Sequence, residues 1–479
     1  MRLLLTPESL LLAWAISLLI VESFNPRLKA QTMASYAMLG VVGVLAWTLF
    51  GPQEVPTWST RVYIFDPLAI FFKILFLFTL LLVLGMGRAY LPQIETGRNE
   101  FFIIPLFTTV GMMLLASARD FMLFFVALEL MTISFYILVG YHRQSTASLE
   151  GGVKYLIMGG LSTGFLAYGI AFLYGSLGTT QIYQAAETLS IMNVTPAILF
   201  AMTLILVGLA FKIAAVPFHA WAPDVYQGAP TPITAFLATA SKAAGFALLI
   251  RLLWEAGWGV GRFEPALTSI ITLLTIGSLV LGSFAALSQR NLKRLLAYSS
   301  IANAGFLLMG LNGFTDRSVV ITLFYLVVYL LGNLLAFYII CSLRLPLGGD
   351  DFRHYAGLSQ RSPFLAFAML LAFVSMAGLP PLAGFVGKLA VFGMAWEQRH
   401  YFTVIVAIIS AIAGLYYYLG VIRAMYWQEA PETAPISVSF PSKIIVGFLS
   451  LCLVGFGLFF PALMNWISAF TIFGGLFHQ

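Results

Sequence analysis

The stretch that decides the fold runs from Phe211 to Lys242: FKIAAVPFHAWAPDVYQGAPTPITAFLATASK. Apolar runs flank it on both sides, each long enough to cross a bilayer, which takes about 20 mostly apolar residues. Within it lie Lys212, His219, Asp224 and Lys242, and Pro217, Pro223, Pro230 and Pro232 punctuate it. A lysine in hydrocarbon is costly, and such residues face a polar path or a partner charge. Proline removes a backbone donor and breaks a helix. Broken helices at membrane depth are tolerated where the loosened backbone is buried in protein or lines water. The stretch therefore reads as an ion path through a membrane, with Lys212 and Lys242 on it.

Composition agrees. The chain is 60% hydrophobic and 9% charged, with a mean hydropathy of +0.94, whereas a soluble domain is about 25% charged. This predicts an all-α, polytopic membrane protein with no separate soluble domain. The net charge of +6 reflects the topology signal of membrane proteins rather than nucleic-acid binding. Cys341 and Cys452, the only cysteines, sit in apolar runs without CxxC or cluster spacing. If the chain belongs to a redox system, electrons pass through other subunits. The N-terminus lacks a small-residue cleavage pattern and reads as a first span carrying Glu8 and Glu22.

About 14 spans are expected, centred on 3–22, 32–50, 64–87, 101–118, 120–141, 149–176, 191–226, 231–254, 265–288, 292–312, 317–343, 362–397, 401–426 and 441–470. Four segments follow: 1–100, three N-terminal helices; 101–254, helices 4–8; 255–430, helices 9–13; and 431–479, helix 14. The seventh and twelfth spans are long and proline-broken, each reading as two half-helices. One is odd-numbered and one even, as inverted repeats require. Beyond the break and a lysine, the two halves show no self-similarity at residue level. Counting basic residues at span ends gives 13 on the side of Arg290, Lys293 and Arg294, against 7 on the side of Arg2, Arg61, Arg119, Arg251, Arg262, Arg317 and Arg399. The richer side is expected to be cytoplasmic and both termini periplasmic, in a bacterial inner membrane.

Glu129, in the fifth span, is a candidate for switching against Lys212: paired, both are charged, and parted, the lysine can release its proton. Snorkelling to the surface remains an alternative for Lys212. Lys242 stands near mid-depth among small residues, too deep to snorkel. Lys388, behind GLPPLAGFVG, is the candidate last site before the outer side. His219 is a candidate relay, or else a cap for carbonyls freed by the break. Asp224, after Pro223, reads as a turn or cap. Glu150 and Lys154 share one helix face and read as a structural pair or part of an inner entrance. Lys73 has no evident partner. The basic loop 289–300 is accounted for by topology and lipid contact. Nucleotide loops, paired catalytic carboxylates and metal-ligand spacings are absent.

VPFHAWAPDVYQGAPTPITAFLATASKAAGF (216–246), QRNLKRLLAYSSIANAGF (289–306), GLPPLAGFVGKLAVF (378–392) and ALELMTISFYILVGY (127–141) resemble the antiporter-like subunits of respiratory complex I. DVYQGAPTP, FLATASK and a lysine at 388 are similar to the N-type subunits of bacterial NADH:quinone oxidoreductase in particular. The resemblance covers essentially the whole chain. It implies 14 transmembrane helices with two inverted five-helix repeats, spans four to eight and nine to thirteen, and discontinuous helices 7 and 12. It implies a proton path through Glu129, Lys212, Lys242 and Lys388, with His219 beside it. Such a chain is a non-redox subunit of a translocase, carrying no cofactor itself. FMN, iron–sulfur clusters and quinone are expected in partner subunits, and homologous antiporter-like subunits as neighbours in the lipid bilayer. The rivals are a subunit of a multisubunit sodium/proton antiporter, and a structural spacer without its own channel.

Overall fold

The computed structural model describes residues 6–25, 27–51, 61–191, 195–254, 264–430 and 434–470. Arg2 and Arg262, both used in the charge count, and the segment boundaries at 255 and 431 lie outside them. Helices α1 (Pro7–Phe24), α2 (Ala30–Phe50), α3 (Pro67–Tyr90), α4 (Glu100–Ala116), α5 (Phe121–Val139), α6 (Thr146–Leu177), α7 (Ile182–Ile191) and α8 (Pro196–Lys212) come first. They are followed by α9 (Trp221–Gly228), α10 (Thr231–Phe236), α11 (Lys242–Trp254), α12 (Glu264–Ala286), α13 (Leu292–Leu311) and α14 (Asp316–Leu347). The last are α15 (Leu358–Arg361), α16 (Pro363–Ala377), α17 (Ala383–Glu397), α18 (Tyr401–Trp427), α19 (Phe440–Leu458) and α20 (Phe460–Ser468). Among the described residues, 11 helical stretches are long and apolar enough to cross a membrane, and α4, α8 and α16 are shorter apolar helices.

Both expected interruptions are present. α8 ends at Lys212 and α9 starts at Trp221, with the Val216–Pro217 bond cis between them. α16 ends at Ala377 and α17 starts at Ala383, with Pro380–Pro381 cis. Ala214, at the first break, is held in the left-handed region at φ +57°, which costs an L-residue about 1–2 kcal/mol. A third interruption was not legible in the sequence. The eighth span is α10, a π-helical turn Leu237–Ser241, then α11, so the π turn delivers the chain to Lys242. Such turns are frequent at functional sites.

The chain forms two units. The first is Met1–Ile213 with Gly228–Leu267, and the second is Ala214–Gln227 with Thr268–Gln479. In the first, α6 packs along α8, α4 along α5, and α1 and α3 against α4. In the second, α14 lies against α16, α17 and α19, and α16 against α18. The apolar window of α14 is 94% buried and that of the 231–254 span 100% buried, so these two are interior helices rather than lipid-facing ones.

Each unit carries the same frame, built from different residues in the two halves. Asp120, the N-cap of α5, forms an isolated bridge with Gln181. Asn291, the N-cap of α13, does so with Asp351. Around the first, Phe121 N donates to Thr180 O and Ile182 N to Arg119 O, both at 2.9 Å. Around the second, Leu292 N donates to Asp350 O at 2.8 Å and Phe352 N to Arg290 O at 2.9 Å. The helix that follows is 32 residues long in both cases, capped by Ser145 or Thr315. It ends on a left-handed glycine, Gly178 at φ +73° or Gly348 at φ +69°, where only glycine is free of Cβ strain.

Candidate functional site

Lys212 closes α8 and is 3% exposed. Its Nζ donates to Thr132 Oγ1 at 3.3 Å and Tyr155 OH at 3.4 Å, and lies 5.5 Å from the centre of the Phe135 ring. The amine is therefore held inside the bundle and does not snorkel. Glu129, one turn before Thr132 on α5, accepts from Thr163 Oγ1 at 2.7 Å. The expected Glu129–Lys212 pair is thus two separately bound groups, with Thr132 next along the helix from the acid and bound to the amine. Charges placed this way act on each other through a low dielectric without locking into contact.

Lys242 begins α11 and is 1% exposed. Its helix touches the end of the Lys212 helix at Gly245, where an added Cβ would come within 2.6 Å of Ile213 Cγ2 and 3.6 Å of Lys212 Cγ. The glycine lets two lysine-bearing backbones approach within the first unit.

Lys388, on α17 and 6% exposed, turns back over the second break. Its Nζ donates to Met376 O at 2.8 Å and Ala377 O at 3.1 Å, and sits 4.7 Å from the Phe306 ring centre. Those carbonyls end α16 and have no partner within the helix. A cation there also meets the negative end of the helix dipole. Gly378 makes room: at φ +85°, a Cβ would stand 2.8 Å from Lys388 Cδ.

The remaining candidates are placed as follows. His219 is half-buried in the first break, within the second unit; its carbonyl, not its ring, takes up Ala222 N at 2.9 Å. Asp224 is more than a cap: its Oδ1 pairs with Arg294 Nη1 at 2.5 Å. Topology and lipid contact therefore do not account for the basic stretch after Gln289, where Lys293 is only 3% exposed. Glu150 and Lys154 form their i,i+4 pair at 2.6 Å with largely exposed side chains.

Sequence reasoning left Lys73 unpartnered, and the structure supplies its partners. Lys73 Nζ lies 2.8 Å from Glu8 Oε1 and donates to Tyr63 OH at 2.9 Å, while Tyr63 OH donates to Glu8 Oε2 at 3.1 Å. Arg251, counted as a topology marker, is 1% exposed and grips Asp66 with two nitrogens, at 2.6 and 3.1 Å. Acids near the ends of α1 and α3 were the only available sequence signal, and Glu8 lies too far along the chain from Lys73 for spacing to pair them.

Comparison with known proteins places these features in a family. The profile described as NADH:quinone oxidoreductase/Mrp antiporter, transmembrane, matches residues 118–413. The NADH-quinone oxidoreductase subunit N of Moorella thermoacetica is 38% identical over 473 residues, covering 98% of each chain. That of Heliobacterium modesticaldum is 40% identical over 457 residues, covering 95% of this chain and 96% of its own. A chain of respiratory complex I from Thermus thermophilus superposes with a TM-score of 0.80 at 32% identity, covering 97% of this chain and 99% of that one. A chain of the Mrp complex from Dietzia shares the fold, with a TM-score of 0.82 at 19% identity, covering 98% of this chain and 97% of its own. The chain is a multi-pass membrane protein that belongs to the NADH:quinone oxidoreductase/Mrp antiporter family of membrane subunits, in its subunit N branch.

Proposed function

We propose that this chain is a proton-translocating, non-redox subunit in the membrane arm of an NADH:quinone oxidoreductase, set beside homologous antiporter-like subunits. Full-length identity to N subunits supports the assignment. The observation that carries the mechanism is the burial of Lys212, Lys242 and Lys388, each at an interruption of its helix. Quinone reduction in partner subunits perturbs the balance between Glu129 and Lys212. When the acid's influence weakens, Lys212 sheds its proton toward Lys242, and Lys388 takes it onward through water. Repulsion between successive charges drives the discharge, because neighbouring charges change one another's proton affinity strongly where water is scarce. His219 serves as a relay and Glu150–Lys154 as the inner entrance in this reading.

FMN, iron–sulfur clusters and quinone belong to the partner subunits in this reading. The chain lies in the bacterial inner membrane with both termini periplasmic. A tag on this chain tests the assignment. Mild purification should bring down flavin and iron–sulfur absorbance together with NADH:quinone reductase activity. Recovery of an intact complex without either, but with sodium/proton exchange in liposomes, would support the antiporter rival instead.

A further inference from the structure

The duplicated frame assigns equivalent positions to side chains around the two outermost lysines. Phe135 and Phe306 each lie fifteen residues beyond their bridge residues, Asp120 and Asn291, and Thr132 and Asn303 each lie twelve beyond. Tyr155 and Tyr325 each stand twenty-six residues before the second bridge residue, Gln181 or Asp351. In the first unit the Thr132 and Tyr155 hydroxyls hold the Lys212 amine. In the second, the Phe306 ring meets both Lys388 Nζ and the Tyr325 ring, the latter edge-on at 6.3 Å. Gly387 backs onto Tyr325 so closely that a Cβ would come within 2.5 Å of Cδ2. Tyr325 therefore lines the Lys388 chamber as Tyr155 lines that of Lys212.

The chambers differ on the side facing the bridge. One turn before Thr132 stands apolar, buried Leu128. One turn before Asn303 stands buried Ser299, and a ladder of hydrogen bonds runs through it. Tyr325 OH donates to Asn303 Oδ1 at 2.5 Å. Asn303 Nδ2 donates to Ser299 O at 2.8 Å and to Ser299 Oγ at 3.3 Å, and Ser299 Oγ shares a hydrogen bond with Tyr418 OH. Ser299, Asn303, Tyr325 and Tyr418 are each at most 4% exposed.

A hydroxyl relays protons because it can accept one and release another on the same oxygen. A carboxamide cannot do this cheaply. Its oxygen only accepts and its nitrogen only donates, so passing a proton through it would leave the high-energy imidic acid tautomer. Asn303 thus sets the direction of the ladder: the Tyr325 proton is turned toward the amide, leaving the phenol lone pairs free to accept.

We propose that Asn303 is a proton insulator. It is a positioning residue that orients Tyr325 in the Lys388 chamber while barring protons from crossing to Ser299, Tyr418 and the Asn291–Asp351 end of the second unit. This rests on the reading above, that Lys388 carries the translocated proton. Where the first unit uses apolar Leu128 to close the same direction, the second uses a polar but non-conducting side chain.

The assembled complex in inverted membrane vesicles tests this with three variants. Asn303→Asp places a carboxyl that can take up and release protons in the ladder, and Asn303→Thr makes the ladder a run of hydroxyls, copying Thr132. Both should raise passive proton leak after an acid pulse severalfold, without turnover, and lower the protons pumped per NADH while oxidation continues. Asn303→Leu keeps the barrier but loses the orientation, so it should slow turnover with wild-type leak and stoichiometry. Wild-type leak and stoichiometry in an assembled Asp or Thr variant would overturn the proposal, as would a leak in Asn303→Leu as large as in the other two. Absence of redox-linked pumping by the unaltered complex would instead count against the proposed function, and the leak comparison would still be readable.

Discussion

Neutralising one member of the Glu8–Lys73 pair should cost the fold far more than neutralising both. Lys73 is fully buried and Glu8 is 3% exposed, their charged atoms are 2.8 Å apart, and Tyr63 bonds both. Lys73→Met leaves a carboxylate enclosed by α1, α3 and the Tyr63 segment, and Glu8→Gln leaves an ammonium there. Breaking a buried pair from one side costs about 3–5 kcal/mol, chiefly through the uncompensated charge. At about 1.4 kcal/mol per tenfold, that is two to three and a half orders of magnitude in the unfolding constant. The double variant Glu8→Gln/Lys73→Met buries no net or lone charge and should recover most of the loss. Titration of the purified protein with sodium dodecyl sulfate in mixed micelles, followed by tryptophan fluorescence, measures all four species. Single variants within about 1 kcal/mol of wild type would refute the reasoning, since such losses are typical of exposed pairs. So would a double variant as unstable as the two singles added together.

Asp66 should set an acid limb of stability. Burial pushes its carboxyl up, but the two-nitrogen grip of Arg251 and the Ala69 N–H outweigh it and hold the carboxyl below its ordinary value. The stabilisation is fully present above about pH 4, the unfolded-state value, and is lost as pH falls through the depressed folded value; Asp66→Asn should abolish this limb in an acid titration of the purified protein. Gly384→Ala should cripple assembly, because its Cβ would fall 1.7 Å from Ser375 O and overpacking of even softer contacts costs about 1–3 kcal/mol. Gly393→Ala, with nothing within 4 Å, should assemble normally on blue-native gels. Thr163→Val removes the 2.7 Å hydrogen bond to Glu129, a charged bond of the kind that contributes about 1.5–3 kcal/mol. It should slow coupled NADH oxidation, while Thr163→Ser keeps the wild-type rate.

The sequence made some features legible because they break a pattern. A lysine or a proline inside an apolar run has no local reason to be there, so Lys212, Lys242, Lys388 and the two broken helices stood out. What escaped depends on contacts between residues remote in the chain. Nothing in the local pattern ties Glu8 to Lys73, Asp66 to Arg251 or Asp224 to Arg294; each pair forms only when separate helices pack. The π turn before Lys242 was hidden because ATAS suits an α-helix equally well. The duplication was hidden because what recurs is the frame, namely capped helix starts, a 32-residue helix and a left-handed glycine. The side chains within that frame have diverged, Glu129 facing Ser300 in register and Thr132 facing Asn303. The Glu129–Lys212 pairing was half legible: both groups are present in one unit, but Thr163 holds one and Thr132 and Tyr155 the other.

If protons pass through amines sealed inside the bundle, Lys242 is the decisive position, because it is the most enclosed of Lys212, Lys242 and Lys388. The most direct measurement is the number of protons pumped per NADH oxidised in inverted vesicles carrying Lys242→Met, with assembly verified by flavin content. Methionine keeps the length and removes the charge. The expected result is loss of coupled pumping in a fully assembled complex, with partial return in Lys242→Arg, which restores charge but not easy proton release. Wild-type turnover and stoichiometry in Lys242→Met would contradict it and leave these lysines as structural elements of a spacer.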